Sequence, residues 1–138
     1  MLFYDLDLGT WVKKPGSTSP PIMTPVLTIG GSFKIPVKFC QGGNVQGSGA
    51  TATFCGLKLT SDFTGDYLAS DNAPTFDGDQ NQTFTLDLDQ TSAKTYFTDN
   101  PTEPNVSCAI QFVFTLLTET FRTVPFPVLL QNDYLQNQ

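Results

Sequence analysis

Apolar residues in this chain recur at every second position, and no segment shows the spacing of a long amphipathic helix. The clearest run is 33–39, Phe-Lys-Ile-Pro-Val-Lys-Phe, in which the apolar residues alternate with lysine and proline. Residues 2–8 and 84–88 alternate in the same way, with aspartates at the intervening positions. Because successive side chains of a β-strand point to opposite faces, this period predicts strands with one buried face and one wet face.

About seven such strands follow one another along residues 1–138, which we interpret as a single all-β domain. The predicted fold is a two-sheet antiparallel β-sandwich, immunoglobulin-like in general form, with at most one short helical turn, at 91–97. A Pro/Ser-rich extended loop is predicted over 13–25, and a polar tail over 131–138. The alternative is a small closed barrel.

Prolines inside the alternating runs favour the sandwich over the barrel. Pro36 lies in one run, and Pro125 and Pro127 lie in the last one. Proline cannot donate a hydrogen bond to a neighbouring strand, so the run with Pro36 should be an edge strand or pair on only one side at the proline, and Pro125 and Pro127 indicate that the last run is an edge strand. Only open sheets have edges, because a closed barrel has none.

Two further strands have distinctive sequences. Residues 52–59 change the parity of their apolar positions at Gly56, which predicts a β-bulge there. Residues 108–117 are apolar at both parities, which predicts a central strand buried on both faces.

Composition excludes several functions. The chain contains no histidine, the usual general base and metal ligand. Its 7 basic and 13 acidic residues give a net charge of −6, which disfavours binding to nucleic acid or to an anionic membrane surface. No apolar run approaches the ~20 residues of a membrane span. The three cysteines, Cys40, Cys55 and Cys108, are odd in number and no export signal precedes them, so we expect free thiols.

Candidate chemical sites are weak. The turn Asp77-Gly-Asp79-Gln-Asn81 begins like a calcium-binding loop, but Gln82 replaces the required glycine and Leu88 the bidentate glutamate. We therefore expect no high-affinity calcium site. The pairs Asp5/Asp7 and Asp87/Asp89 fit the outward polar faces of strands better than a catalytic pair. We predict no catalytic residue, no metal site and no cofactor.

The order of features over Val26–Tyr134 resembles the small β-sandwich domain of bacteriophage tail proteins, found in upper baseplate and tail-fibre components. The similarity rests on the glycine turn and strand at 29–39, on Phe-Thr-Leu-Asp-Leu-Asp and a polar helical turn at 84–94, on Arg-Thr-Val-Pro-Phe-Pro-Val at 122–128, and on Gln-Asn-Asp at 131–133. Relatives usually carry a charged Gly-Asp turn where this chain has Gly-Gly-Ser. The resemblance implies a virion role and no enzyme activity.

The predicted function is therefore that of a structural component of a phage tail, baseplate or fibre, assembled in the host cytoplasm. Its partners would be other virion proteins and copies of itself, held by symmetric contacts. Capsid decoration is a close alternative. A carbohydrate- or cell-surface-binding module is an alternative of another class, with Trp11, Tyr67 and Tyr96 as candidate aromatic contacts.

The C-terminal segment carries the predicted partner contacts, Phe121, Leu129 and Tyr134, because their positions do not clearly point into the core. The alternative is that Phe121 and Leu129 only cap the open end of the core.

Overall fold

A computed structural model describes residues 1–21, 24–45, 49–76, 82–89 and 91–133. Two sheets, each of six strands, pack face to face around one apolar core. This arrangement confirms the predicted all-β sandwich and excludes the closed barrel.

Spatial order in the first sheet is β2 (Thr10–Val12), β1 (Leu2–Asp5), β4 (Ser32–Gln41), β9 (Gln82–Asp87) and β8 (Thr75–Phe76), with β5 (Asn44–Val45) paired to β4. The second sheet runs β3 (Val26–Thr28), β12 (Phe126–Gln131), β10 (Asn105–Leu116), β6 (Thr51–Leu59) and β7 (Ala69–Asp71), with β11 (Glu119–Arg122) paired to β10. One helix, α1 (Ser92–Asp99), lies between β9 and β10 in the chain.

The seven predicted strands correspond to β1, β3, β4, β6, β9, β10 and β12. The other five strands are only two to four residues long. A run of two to four residues is too short to display a clear period of two, so alternation alone does not predict these five strands.

Two pairings in the sandwich are parallel, although the sequence predicted antiparallel sheets. β1 runs parallel to β4, and β3 runs parallel to β12. The chain leaves the first sheet after β2, crosses to the second sheet for β3 and returns to the first for β4. The crossing segment, 13–25, forms no helix or strand in its described residues, as predicted.

The proline-bearing strands are interior strands, so the prediction of edge strands is wrong. Pro36 lies in β4 between β1 and β9, and Pro127 lies in β12 between β3 and β10. However, β1 pairs with β4 only from Val37 onward, and β3 pairs with β12 only from Leu129 onward. Each proline therefore occupies a stretch that is paired on one side only, which was the other possibility predicted for Pro36.

The predicted bulge at Gly56 is also misplaced. The register between β6 and β10 skips Thr53, whereas Gly56 pairs regularly with Gln111. Glycine is needed at position 56 for a different reason: a Cβ atom there would collide with the ring of Tyr67 and come within 2.9 Å of the ring of Phe54.

β10 is the central strand of its sheet, as predicted, but it is buried on one face only. Its inward side chains, which include Phe112 and Phe114, are buried. Most outward ones, such as Gln111 and Val113, are half-buried because the described residues place no third layer over them. The Phe112 ring lies 5.4 Å from both Trp11 and Phe84, which joins the two sheets into one core.

The helix is longer than the predicted single turn. It begins after Thr91, which occupies the N-cap position but makes no capping hydrogen bond with its side chain. Ala93 and Phe97 are buried, and the Ala93 N–H donates to the Leu68 carbonyl at 3.0 Å. The polar tail starts later than predicted, since Gln131 ends β12 and Asn132 donates its N–H to the Pro104 carbonyl.

Candidate functional site

The strongest candidate for a contact surface lies where the turn after β1 meets the β10–β11 hairpin. We call five residues in this region the apolar end: Leu6, Leu116 and Phe121, which line one cleft, and Leu8 and Leu117, which are exposed in the two turns. A cleft of about 210 Å³ opens within it, lined mainly by apolar side chains that include Tyr4, Phe114 and Phe121.

Leu117 is the most unusual residue of the apolar end. It lies at the tip of the hairpin, its side chain is 85% exposed, and its backbone has φ of 59°. It is the one non-glycine residue with a positive φ among the described residues. The left-handed conformation costs an L-residue about 1–2 kcal/mol. An exposed leucine at such a position contributes little to the fold of the isolated chain.

Phe121 has two roles that the sequence analysis treated as alternatives. Its ring stacks on Phe114 with centroids 5.6 Å apart and an interplanar angle of 24°. Phe114 is buried in the core, so Phe121 extends the core outward. Since Phe121 is still 40% exposed, it also presents an apolar surface to solvent.

Leu129 does not join Phe121 on one surface. Phe121 pairs with Phe114, whose side chain points into the core, whereas Leu129 pairs with Ser107 and lies on the outer face of the second sheet. Leu129 is half-buried there. Tyr134, the third predicted contact, lies outside the described residues. Leu8 and Leu117 were not among the predicted contacts, although an apolar leucine within a turn could have indicated them.

All three cysteines are free and buried, as predicted. Burial raises the pKa of each thiol, and for Cys108 it does so to about 12. A thiolate is the reactive form, so these residues act as small core side chains rather than nucleophiles.

The acidic pairs have structural roles. Asp5 is only 6% exposed, so the prediction that it points outward is wrong. Its carboxylate accepts hydrogen bonds from the backbone N–H groups of Asp7 and Leu8 at 2.9 and 3.0 Å and thereby closes the turn after β1. Asp87 accepts from the Asp89 N–H, and Asp89 forms an ion pair with Lys94.

Metal binding has little support in the described part of the chain, where no three acidic, cysteine or histidine side chains cluster. The Asp77–Asn81 turn lies outside the described residues. Over the same described ranges, no helix is long and apolar enough to cross a membrane.

The three candidate carbohydrate-binding aromatics do not form a platform. Trp11 is only 4% exposed, and its indole N–H donates to the Val124 carbonyl at 2.8 Å inside the sandwich. Tyr96 packs against Phe97 on the helix. Tyr67 is half-buried and lines a separate polar cleft of about 660 Å³ between β7 and α1.

No protein-family model matches this chain, and no curated protein matches it. The function therefore rests on the geometry of the two openings, the apolar end and the polar cleft.

Proposed function

We propose that this protein is a structural component of a bacteriophage virion, in the tail, baseplate or fibre, and that it assembles through the apolar end. The observation that carries the proposal is Leu117, which is 85% exposed and held in a left-handed conformation at the turn of the hairpin that also carries the half-exposed Phe121. The resemblance to phage tail sandwich domains supports the virion role.

Contact with a partner would remove a large unfavourable exposure. Burial of a leucine or phenylalanine side chain is worth about 1.5–3 kcal/mol. Leu8 is half-exposed in the turn whose Gly9 lines the same cleft, so its side chain adds to the surface. Stacking on Phe114 already orders the Phe121 side chain. Binding would therefore cost less side-chain entropy at Phe121 than at a mobile residue.

Charges beside the apolar end favour a second copy of the chain as the partner. Arg122 lines the cleft, and Glu119 lies at the start of the same strand. The one ion pair among the described residues is Lys94–Asp89, so Arg122 and Glu119 have no ionic partner within those ranges. A two-fold contact could bring Arg122 of one copy to Glu119 of the other, which would offset the repulsion between chains of net charge −6.

Other virion proteins would use the same surface, and capsid decoration remains the close variant of this role. The proposal places the protein in the virion after assembly in the host cytoplasm. It includes no catalytic step, cofactor, metal, nucleic acid or membrane.

Sedimentation velocity on the purified chain tests the contact. We expect concentration-dependent dimers or larger closed assemblies, which Leu117→Asn should weaken at least about tenfold. Phe63→Ser is the matched control, because Phe63 is 51% exposed but lies in the loop after β6, away from the apolar end. A wild-type chain that stays monomeric at high micromolar concentration, or a Leu117→Asn variant that assembles normally, would overturn the contact.

The virion role has its own test. Phage particles purified from cells that carry the gene should contain the chain when digested and analysed by mass spectrometry. Detection of the chain only in the unassembled fraction would contradict a virion component.

A further inference from the structure

The polar cleft owes its shape to the way α1 docks on the second sheet. The Ala93 N–H donates to the Leu68 carbonyl, and the Leu68 N–H donates to the Leu57 carbonyl at 2.8 Å. These bonds hold the start of the helix against the edge strand β7. The buried Leu68 and Ala69 line the cleft at this junction.

Hydroxyl groups line the helix side of the cleft. Thr91, Thr95 and Thr98 follow the spacing of one helix face, and Ser92 and the strand residue Ser70 add two more hydroxyls. The buried residues Ala93 and Phe97 lie on the other face of the helix. Ser92, Thr95 and Thr98 on the hydroxyl-rich face are exposed, and the Thr98 hydroxyl donates a hydrogen bond to the Lys94 carbonyl at 3.2 Å.

One of these hydroxyls lacks the partner that its position normally provides. A threonine at an N-cap usually accepts a hydrogen bond from a backbone N–H of the first helical turn. The Thr91 oxygen makes no such bond, and it is buried without any hydrogen-bond partner among the described residues. Because this oxygen is covered by protein, a ligand in the cleft would meet the exposed hydroxyls of Ser92, Thr95 and Thr98 instead.

The cleft carries no excess charge. Lys94 and Asp89 form an ion pair at 3.0 Å, both side chains about two-fifths exposed, and the other lining residues are uncharged. Phosphate or carboxylate ligands need a net positive site, which this is not. The paired ammonium and carboxylate can still exchange hydrogen bonds with ligand hydroxyl groups.

Tyr67 supplies an ordered aromatic surface at the cleft. Its ring packs against Phe54 with centroids 5.0 Å apart, passes over Gly56, and has the Lys58 ammonium 4.5 Å from its centroid. An aromatic ring held this firmly presents an apolar contact at low entropic cost. A cleft with one aromatic contact and many hydroxyls matches a ligand whose own surface alternates C–H and O–H groups.

We propose that the cleft between β7 and α1 binds a neutral saccharide. Tyr67 would pack against the C–H face of a sugar ring, while Thr95, Thr98 and the Asp89–Lys94 pair would hydrogen-bond its hydroxyl groups. The cleft volume of about 660 Å³ lies within the range of small-molecule sites. This inference does not depend on the proposed virion role.

An NMR titration tests the inference. Maltohexaose, cellohexaose, chitohexaose and xylohexaose are added separately, to millimolar concentration, to the isotope-labelled full chain. We expect at least one of them to shift the backbone amide signals of Ser70, Ser92 and Thr95 in a saturable way. If none of the four shifts these signals, the inference fails.

Two variants and a control locate the binding. Tyr67→Ala should weaken it at least about tenfold, and Thr95→Val, which keeps the side-chain shape, should weaken it by about threefold to tenfold. Tyr96→Ala should leave it unchanged, because Tyr96 lies on the same helix but not in the cleft. Wild-type affinity in both Tyr67→Ala and Thr95→Val would overturn the inference, as would binding of inorganic phosphate at the same amides in preference to sugars.

The outcome is independent of the test of the virion contact. Leu117→Asn should bind the saccharide as the wild type does, whatever its effect on assembly. Loss of saccharide binding in Leu117→Asn would contradict the assignment to the cleft.

Discussion

The apolar end and the polar cleft are both openings in the sandwich surface, but they relate to the core in opposite ways. At the apolar end the core continues outward, from Phe39 through Phe114 to Phe121. At the cleft the core stops beneath α1, and the residues facing the opening are mostly hydroxylic. If both proposals hold, the side chains that stabilise the core also contact the partner at the first opening, whereas the two sets are largely separate at the second.

Two residues are exceptions to this difference between the apolar end and the cleft. Leu117 belongs to the apolar end but contributes little to the core, because it is 85% exposed. Tyr67 belongs to the cleft but is ordered by contacts with β6. Substitutions at and around these residues can therefore separate folding from binding in each region.

The largest expected effect is that of Phe114→Ala, which should lower the free energy of unfolding by about 3–5 kcal/mol. The Phe114 ring contacts Tyr4, Phe39 and Phe121, so the variant removes the link between the core and the apolar end. Urea denaturation measures the loss. Thr95→Val in the cleft is the counterpart and should change stability by less than about 0.5 kcal/mol. Equal losses of stability in Phe114→Ala and Thr95→Val would contradict the view that only the apolar end is continuous with the core.

Alkaline pH should act on the core that both regions share. Burial raises the pKa of Cys108 from 9.0 to about 12 and that of Cys55 in the same direction. The folded state thus retains thiol protons that the unfolded state has lost, and stability should fall as pH rises above 9, by about 1.4 kcal/mol per pH unit for each thiol. Urea denaturation at about pH 8 and about pH 10 measures this slope.

Cys108→Ala is the control for the alkaline effect. It should reduce the fall in stability per pH unit by about the contribution of one thiol. An unchanged slope would mean that other groups, such as Tyr4, whose pKa burial also raises, dominate the loss.

Gly56→Ala should lower the free energy of unfolding by about 1–3 kcal/mol, because the new methyl group would displace the Tyr67 ring. The same variant should weaken saccharide binding at the cleft, which would couple packing to recognition in this region. Gly31→Ala is the matched control, since a Cβ there meets no atom within 4 Å and its φ is not positive. Thermal denaturation compares the two. A neutral Gly56→Ala would show that Tyr67 is not held as described.

The smallest expected effect has the opposite sign. Leu117→Asn should raise stability by about 0.5–1 kcal/mol, because asparagine tolerates a positive φ better than leucine does. Differential scanning calorimetry should show a melting temperature higher by a few degrees. Leu8→Asn is the control: Leu8 is also exposed at the apolar end but has no positive φ, so it should weaken assembly without stabilising the monomer.

The long strands were predictable from this sequence, whereas most strands of two to four residues were not. Alternation over 33–39 and 84–88 identifies β4 and β9 because each run spans several periods. β7 and β11 are as short as three and four residues, and their pairing is decided by the strands beside them. Likewise, the sequence shows that Pro36 has no N–H to donate. Only the structure shows that β1 pairs with β4 from Val37 onward, so that no bond from Pro36 to β1 is needed.

The sequence by itself determined an all-β chain with buried alternating apolar residues, free core thiols and a net negative charge, because these depend on local period and composition. Only the tertiary structure decided that Leu6 and Phe121 line one cleft and that Tyr67 and Thr95 line another. An alternating pattern assigns a side chain to one face of its own strand. Which residues from distant parts of the sequence lie next to that side chain depends on the order of the strands in the sheet and on the docking of the helix. Both openings arise from such distant neighbours, so neither could be located from the sequence.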